Sequence, residues 1–265
     1  MIFLIIIILL TIIFIINHTK NYEHFNSSIN IINLVLYSNN DEYNEMYKLT
    51  KLYYKKFNNV KTIYYKFDEN ITDNYELNDD ILSIKGKETF IPGILDKTIK
   101  AFQFINDHYK FDYIVRSNIS TIIDFNLLTN YLKQNYTDYG GGLKLSLYKI
   151  ETSYGITDST HFGTEYASGT SIIISRKVLS NIINNIDKIR YNYIDDVALG
   201  IFISENSNNI IIKYVPDKHF IMVQDYDDQS KLINDIKDKQ YIFYRNRQEN
   251  RKKDILQMET IINNI

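Results

Sequence analysis

Cysteine and tryptophan are absent from this 265-residue sequence, and proline occurs only twice. Without cysteine the chain has no disulfides, no zinc site with thiolate ligands and no thiol chemistry, although the redox compartment stays open because a domain of this size can be stable without bridges. A large excess of positive charge is also missing, since the formal net charge is -2. This balance argues against a protein that wraps nucleic acid with a basic surface.

A long hydrophobic run occurs at the amino terminus, over residues 2–16. As a helix it would be about 22 Å long at ~1.5 Å per residue, which is short for a bilayer core of about 30 Å but sufficient if its ends are drawn into the interface. The alternative is a cleaved signal peptide, but the run lacks a basic n-region and a small-residue cleavage site. We therefore expect a membrane anchor over residues 1–20 and a connector over 21–28.

The remaining residues, 29–265, are expected to form one α/β domain in a single-pass membrane protein. The favoured location of this domain is the lumen of the secretory pathway. Lys20 follows the hydrophobic run, and by the positive-inside rule this leaves a domain that faces the cytoplasm as the alternative.

Strand and helix patterns alternate along this domain. Apolar β-forming runs predict strands, and helical spacing of apolar residues predicts helices between them. This alternation predicts a mostly parallel central sheet flanked by helices. The predicted strands are 31–37, 60–67, 80–86, 111–116, 172–174, 210–215 and 220–223. The predicted helices are 41–57, 92–105, 125–134, 175–187, one beginning near 195 and one at the carboxyl terminus. The triple glycine at 140–142 reads as a flexible turn, with close approach to a ligand as the alternative.

Polar residues follow the buried strand that begins at Phe111. Arg116, Ser117 and Asn118 lie at its carboxyl end, which is where ligands bind in open α/β sheets. An ordinary strand followed by a polar turn would read the same way. A second polar pair, Asp195 and Asp196, precedes a helical set of apolar residues, so at least one carboxylate lies at a helix start, either as a cap or as a functional group.

Four blocks, taken in order, resemble the fringe and beta-1,3-galactosyltransferase superfamily of nucleotide-sugar glycosyltransferases. They are KGKETFIPGILDKTIKAFQFI (85–105), FDYIVRSNIST (111–121), YASGTSIIISRKVL (166–179) and IDDVALGIFI (194–203). The last block is similar to the family's Glu-Asp-Val-x-x-Gly motif, with an aspartate in place of the glutamate. An amino-terminal anchor suits the type II topology of that family.

The resemblance implies a GT-A fold and a membrane-anchored hexosyltransferase that inverts the anomeric carbon. It implies a nucleotide-sugar donor, with a UDP-sugar favoured, and a glycan or glycoprotein hydroxyl as acceptor. Asp196 would be the general base, with Asp195 beside it. The donor-binding candidates are Lys97, Arg116, Ser117, Asn118, Ser120, Arg245 and Arg247, and the acceptor or sugar-pocket candidates are Ser168, Gly169, His161 and Glu165. A solvated basic face is the alternative for the arginines, and a solvated loop for His161 and Glu165.

The chain departs from the family at its metal-binding motif. The Asp-x-Asp positions that hold a Mn²⁺ or Mg²⁺ ion in the resembled enzymes are Asn118, Ile119 and Ser120 here, and the loss of two carboxylates removes most of the charge that attracts a hard cation. Metal-independent transfer with arginines balancing the diphosphate, a metal site rebuilt from other carboxylates, and loss of activity all remain open. His219 resembles the family's carboxyl-terminal metal ligand, but a lone histidine can also be structural.

Two functions of other classes stay in competition with the transferase. A non-catalytic GT-A-like module that binds a glycan or a protein would explain the missing carboxylates. A purely structural membrane-associated protein would explain the hydrophobic run but not the order of the four blocks.

Overall fold

A computed structural model of the chain describes residues 29–223, 228–248 and 250–265. The predicted anchor at 1–20 and connector at 21–28 lie outside these ranges. Across the described residues, no helix combines the length and the apolar character needed to cross a membrane.

The described chain contains twelve strands and seven α-helices. The strands are β1 (Ile31–Leu36), β2 (Val60–Asp68), β3 (Tyr75–Asn78), β4 (Ile81–Lys85), β5 (Tyr113–Asn118), β6 (Thr121–Ile123), β7 (Tyr139–Gly141), β8 (Lys144–Ser146), β9 (Glu165–Ala167), β10 (Ser171–Ser175), β11 (Phe220–Met222) and β12 (Phe243–Arg245). The helices are α1 (Asp41–Tyr54), α2 (Gly93–His108), α3 (Phe125–Gln134), α4 (Arg176–Asn184), α5 (Asp195–Asn206), α6 (Gln229–Asp238) and α7 (Arg251–Ile262).

Seven strands form the central sheet in the order β3-β4-β2-β1-β5-β10-β7. The four strands from β4 to β5 are parallel to one another. Antiparallel pairs follow on both sides, where β3 joins β4 and where β10 pairs with β5 and β7. The sheet is therefore mixed, with a parallel centre as predicted and antiparallel flanks that were not predicted. A mixed seven-stranded sheet between helical layers fits a GT-A-like fold.

Alternating side chains of the central strands supply two separate cores. In β1, Ile32 and Leu34 face one core, whereas Ile31 and Val35 face the other. Helices α2, α4 and α5 cover the first face, and helices α1, α3, α6 and α7 cover the second, together with the small sheet β11-β12-β6. Both faces of the parallel strands are buried, which explains why their sequences are continuous apolar runs.

Short polar residues set the beginnings of several helices. Asn40, Asp124 and Ser175 lie in extended conformation immediately before α1, α3 and α4, and each side chain accepts a hydrogen bond from a backbone N–H of the first turn. These caps satisfy donors that have no partner inside the helix. The predicted starts at 41 and 125 and the predicted cap at Ser175 are confirmed.

The prediction of a flexible turn at the triple glycine is wrong. Gly140 and Gly141 belong to strand β7 at the edge of the sheet. A Cβ at Gly140 would collide with the carbonyl oxygen of Lys213, and a Cβ at Gly141 with that of Ser171. The glycines are therefore needed for close approach of backbone to backbone within the fold.

Other differences from the predicted elements have local causes. Residues 210–215 form one isolated bridge beside β7 rather than a strand, because they follow the glycine edge only through a few backbone hydrogen bonds. The helix predicted to run to 187 ends at Asn184 and is followed by a short 3₁₀ turn. Strand β3 and helix α6 were not predicted, since their apolar residues are few.

Candidate active site

A cavity of about 690 Å³ opens at the carboxyl ends of β1 and β5. Its floor is formed where β5 ends, at residues 118–120, and three further segments form much of the walls. These segments are the turn between β9 and β10, the first turn of α5, and the stretch from the end of β12 into α7. Position at the carboxyl edge of the parallel strands matches the general rule for ligand sites in α/β sheets.

Asp196 lies on the first turn of α5 and faces the cavity. Its Oδ2 accepts a hydrogen bond from the backbone N–H of Gly169 at 2.8 Å, and its Oδ1 accepts one from the N–H of Val197 at 2.9 Å. Helix α5 is held close to β9 by Gly200, where a Cβ would collide with the side chain of Tyr166. The glycine of the Asp-Asp-Val-x-x-Gly block thus fixes the helix that presents Asp196.

Burial, and after it the neighbouring Asp195 carboxylate, raise the pKa of Asp196 to about 6. The N–H of Gly169 and the charge of Arg116 act in the opposite direction. A carboxylate with a pKa near 6 is ionised at neutral pH and is still able to take up a proton, as a general base requires.

Asp195, the residue before it, is buried and forms an ion pair with Arg116. Arg116 Nη2 lies 2.5 Å from Asp195 Oδ2, and the guanidinium is 1% exposed. Its Nε donates to the hydroxyl of Tyr65, and its Nη1 donates to Asn118 Oδ1 and to the carbonyl oxygen of Gly169. Burial opposes the charge of Arg116, but Asp195, Tyr65 and Asp196 together outweigh it, so the pKa of Arg116 lies above its ordinary value.

Arginines of the carboxyl-terminal segment line the opposite side of the cavity. Arg245 is buried, and its Nη1 donates to the hydroxyl of Ser120. Its Nε is buried without a hydrogen-bond partner. Burial, together with the nearby charge of Arg251, lowers the pKa of Arg245 to about 10. Arg245 is therefore charged at neutral pH.

Arg247 and Arg251 lie beside Arg245 in the lining. Arg251 is paired with Asp254, with Nη1 and Oδ2 2.6 Å apart. Within the ranges that the structure describes, no carboxylate lies within 4 Å of the guanidinium of Arg245 or Arg247. This side of the cavity therefore carries two positive charges that the described residues do not neutralise.

Lys97, on α2, is part of the lining of the cavity and is 2% exposed. Its Nζ bonds both oxygens of Glu88, at 2.8 and 2.5 Å. Burial lowers the pKa of Lys97, and Glu88 opposes that shift. The charge of Lys97 is balanced within the protein, in contrast to the charges of Arg245 and Arg247.

Aromatic residues line the cavity on the side of Asp196. The rings of Phe90 and Tyr154 lie 6.0 Å apart and tilted, and Tyr166 is the third aromatic residue there. Burial raises the pKa of Tyr166, and the nearby charge of Asp196 raises it further, so this phenol stays protonated. Half of Phe90 is exposed, so its ring is accessible to a ligand.

The structure brings most of the predicted site residues together. Those that line the cavity are Asp195, Asp196, Arg116, Asn118, Ser120, Lys97, Arg245, Arg247, Ser168 and Gly169. Ser117 is buried in β5 and does not line the cavity. His161 lies 3.5 Å from Glu205, Glu165 pairs with Lys144, and His219 bonds the carbonyl of Gln240. None of these three residues lines the cavity.

Sequence reasoning did not single out Phe90, Tyr154, Tyr166 or the Glu88 partner of Lys97. Phe90 and Glu88 lie in one of the four blocks, so the block itself was a signal. Tyr154 carried none, because tyrosine occurs 23 times in the chain.

The residues at the end of β5 do not fit the divalent ion of the resembled family. Asn118 accepts from Arg116, Ser120 accepts from Arg245, and Ile119 is buried. Of the residues that the structure describes, no group of three or more His, Asp or Glu is arranged to hold a metal ion. His219 therefore has no carboxylate partners of the expected kind in these ranges.

No protein-family model matches the chain, and no curated protein does. Among solved structures, similarity is found to a glycosyltransferase involved in the glycosylation of the major capsid of PBCV-1, at 10% identity and a TM-score of 0.46 over 87% of this chain and 99% of that one. The glycosyltransferase GlyE of Streptococcus pneumoniae TIGR4 is similar at 10% identity and a TM-score of 0.40 over 88% and 63% of the two chains. The inositol-1-phosphate CTP transferase of T. maritima is similar at 10% identity and a TM-score of 0.41 over 71% and 85%. Similarity at this level assigns no role to any residue.

Proposed function

We propose that the protein is a glycosyltransferase that uses a nucleotide-sugar donor and works without a divalent metal ion. The observation that carries this proposal is that one cavity has a carboxylate in one wall and arginines in the other. Asp196, an ionisable carboxylate, lies on one side, and Arg245 and Arg247, which lack carboxylate partners in the described ranges, lie on the other.

The donor diphosphate would bind on the arginine side. A guanidinium can donate two parallel hydrogen bonds to phosphate oxygens, and such charge-assisted bonds are the strong ones. The unpartnered Nε of Arg245 supplies a buried donor, and burial makes an unmet donor costly until an anion arrives. We favour a UDP-sugar as donor, on the resemblance alone.

The acceptor hydroxyl would bind beside Asp196. In an inverting transfer, the acceptor oxygen attacks the anomeric carbon and the bond from that carbon to the diphosphate oxygen breaks. The hydroxyl proton passes to Asp196, and the electron pair of the broken bond remains on the diphosphate, whose charge Arg245 and Arg247 balance. An acceptor with a sugar ring, either a glycan or a glycoprotein, would have one apolar face to pack against Phe90 and polar edges toward Ser168 and Gly169.

The hydrophobic run at 2–16 would hold the enzyme in the membrane as a single-pass anchor, with the domain in the secretory-pathway lumen. This part of the proposal rests on the sequence, since the run lies outside the described residues.

The test is turnover by the fragment from Ile29 onward, against UDP- and GDP-sugars, with EDTA or with manganese. We expect turnover that EDTA leaves unchanged and that Asp196→Asn lowers by about 10²- to 10⁴-fold, the usual contribution of a general base. Asp187→Asn is the matched control, because Asp187 is exposed and outside the cavity. Turnover that requires manganese would contradict the metal-independent mechanism.

One observation favours a second candidate, a non-catalytic binding module. Both oxygens of Asp196 already accept backbone N–H groups, as those of a purely structural carboxylate would. In that case nucleotide-sugar binding would persist in Asp196→Asn, and neither protein would turn the donor over.

A further inference from the structure

Arg116 connects the two carboxylates of α5 through the backbone of Gly169. Its Nη1 donates to the carbonyl oxygen of Gly169, and the N–H of the same residue donates to Asp196 Oδ2. Its Nη2 is ion-paired with Asp195. One guanidinium therefore contacts both the helix that carries Asp196 and the turn that bonds Asp196.

A side chain at Gly169 would be crowded by both functional groups, which would have to move by a few tenths of an ångström. A Cβ added there would lie 3.0 Å from Arg116 Nη1 and 3.3 Å from Asp196 Oδ2. The N–H that bonds Asp196 belongs to the peptide between Ser168 and Gly169, and the carbonyl that the guanidinium holds belongs to the next peptide. Because the two peptides share the Cα of Gly169, a movement of the turn that broke the bond to Asp196 would also strain the bond to Arg116.

We propose that Arg116 and Asp195 are positioning residues for Asp196. Arg116 holds the carbonyl of Gly169 and so restrains the Gly169 Cα, from which the N–H that orients the Asp196 carboxylate toward the cavity is placed, and Asp195 fixes Arg116 in turn. This inference rests on the proposed function, because it gives Asp196 the role of base. It changes the expected role of Arg116, which is already neutralised by Asp195 and is not available to balance a diphosphate.

The charges around Asp196 predict opposite effects for the two partners. Asp195 on the same helix and Arg116 on β5 face it with unlike charges, and Tyr166 on β9 and Tyr139 on β7 are the other titratable groups near it. Loss of the positive charge in Arg116→Gln should raise the pKa of Asp196, because Asp195 then acts alone. Loss of the negative charge in Asp195→Asn should lower it.

The experiment is a titration of the Asp196 carboxyl by carbon NMR, with Asp196→Asn to assign the signal, together with the pH profile of transfer. We expect a shift of about one pH unit in each direction, in line with the usual effect of a close charge. The double variant Arg116→Gln/Asp195→Asn should titrate near the parent value. It also buries no unpaired charge, so it should keep the fold even if Arg116→Gln alone does not.

Kinetics supply the second readout. We expect Arg116→Gln and the double variant to lower kcat at least tenfold with the donor KM unchanged, since the Gly169 carbonyl is no longer held. Arg116→Lys should restore the pKa but not kcat, because lysine lacks the fork that reaches Asp195 and Gly169 together. An unmoved titration in folded Asp195→Asn would overturn the inference, as would a titration of the double variant far from the parent value or an unchanged kcat in the double variant.

The titration separates this inference from the proposed function. A parent protein without turnover, in which Asp196 still shifts as expected, would contradict the transferase proposal but not the positioning role. The opposite result is turnover by the parent that depends on Asp196, with an acid limb of the pH profile that neither Arg116→Gln nor Asp195→Asn moves. This result would contradict the positioning role alone.

Discussion

The two sides of the cavity balance their charges in different ways. On the side of α5, Asp195 is paired with Arg116, and the oxygens of Asp196 accept backbone N–H groups. On the side of β12, Arg245 bonds a neutral serine and keeps a buried Nε without a partner. The first side is organised before any ligand binds, whereas the second has charge that an anion would complete.

Under the proposed function, this difference predicts separate tasks for the two sides. A base must hold one geometry while the reaction proceeds, so a network of internal bonds is an advantage. A site that binds and releases a phosphate group cannot be neutralised internally, because an internal carboxylate would compete with the ligand. Arg245 and Arg247, which have no carboxylate partner among the described residues, should therefore control affinity for the donor, and the side of Asp196 should control the chemical step.

Among the tests of this comparison, substitution of Arg245 should have the largest effect, and that effect should be on donor affinity. Arg245→Gln removes the buried charge and its free donor, so affinity for a nucleotide diphosphate should fall by about 10- to 100-fold, which corresponds to a charged hydrogen bond of about 1.5–3 kcal/mol. Calorimetric titration with UDP, with EDTA present, measures it.

Arg190→Gln is the control for that measurement, since Arg190 is paired with Glu205 outside the cavity. Arg247→Gln, at an exposed position in the same wall, should give a smaller loss with less risk to the fold. Equal affinity for UDP in all three variants would show that the arginine side does not bind the diphosphate.

A smaller effect is expected from pH, and it should separate the two sides without any mutation. Asp196 has a pKa near 6 and acts as a base only when ionised, so transfer should fall about tenfold for each pH unit below that value. Arg245, with a pKa near 10, keeps its charge, and binding of UDP-sugar should therefore be flat from pH 5 to 8. Parallel rate and binding measurements would show whether the two curves separate.

Protonation of Asp196 would not cause the protein to unfold, so unfolding through this group does not explain a fall of the transfer rate below pH 6. Its pKa is raised in the folded protein, so the folded state takes up the proton at higher pH than the unfolded state does. By linkage, protonation of this group between pH 6 and 4 favours the folded state. Thermal unfolding at pH 5 and pH 7 is the control, and a loss of structure in step with the rate would contradict this interpretation of the limb.

The sequence predicted the parallel centre of the fold and the composition of one wall, because each depends on local patterns. Continuous apolar runs identified the central strands, and the Asp-Asp-Val block identified the start of α5. The antiparallel flank at β7 was missed because its glycines are explained by a backbone contact with Lys213 that is remote in sequence. The pairing of Arg116 with Asp195 was missed for the same reason, since 79 positions separate two residues whose types alone predict only charge.

The smallest effect is expected from loss of an aromatic ring on the side of Asp196, and it should appear in the acceptor KM. Phe90→Ala removes an accessible ring beside Tyr154, so the acceptor KM should rise by about 3- to 10-fold, from the loss of about 0.5–1.5 kcal/mol of aromatic contact. Donor affinity and donor hydrolysis should be unchanged, because the arginine side is intact. Phe162→Ala is the matched control, since Phe162 is also exposed but does not line the cavity. If both variants raise the acceptor KM equally, or if Phe90→Ala weakens the donor instead, the acceptor does not bind along this aromatic wall.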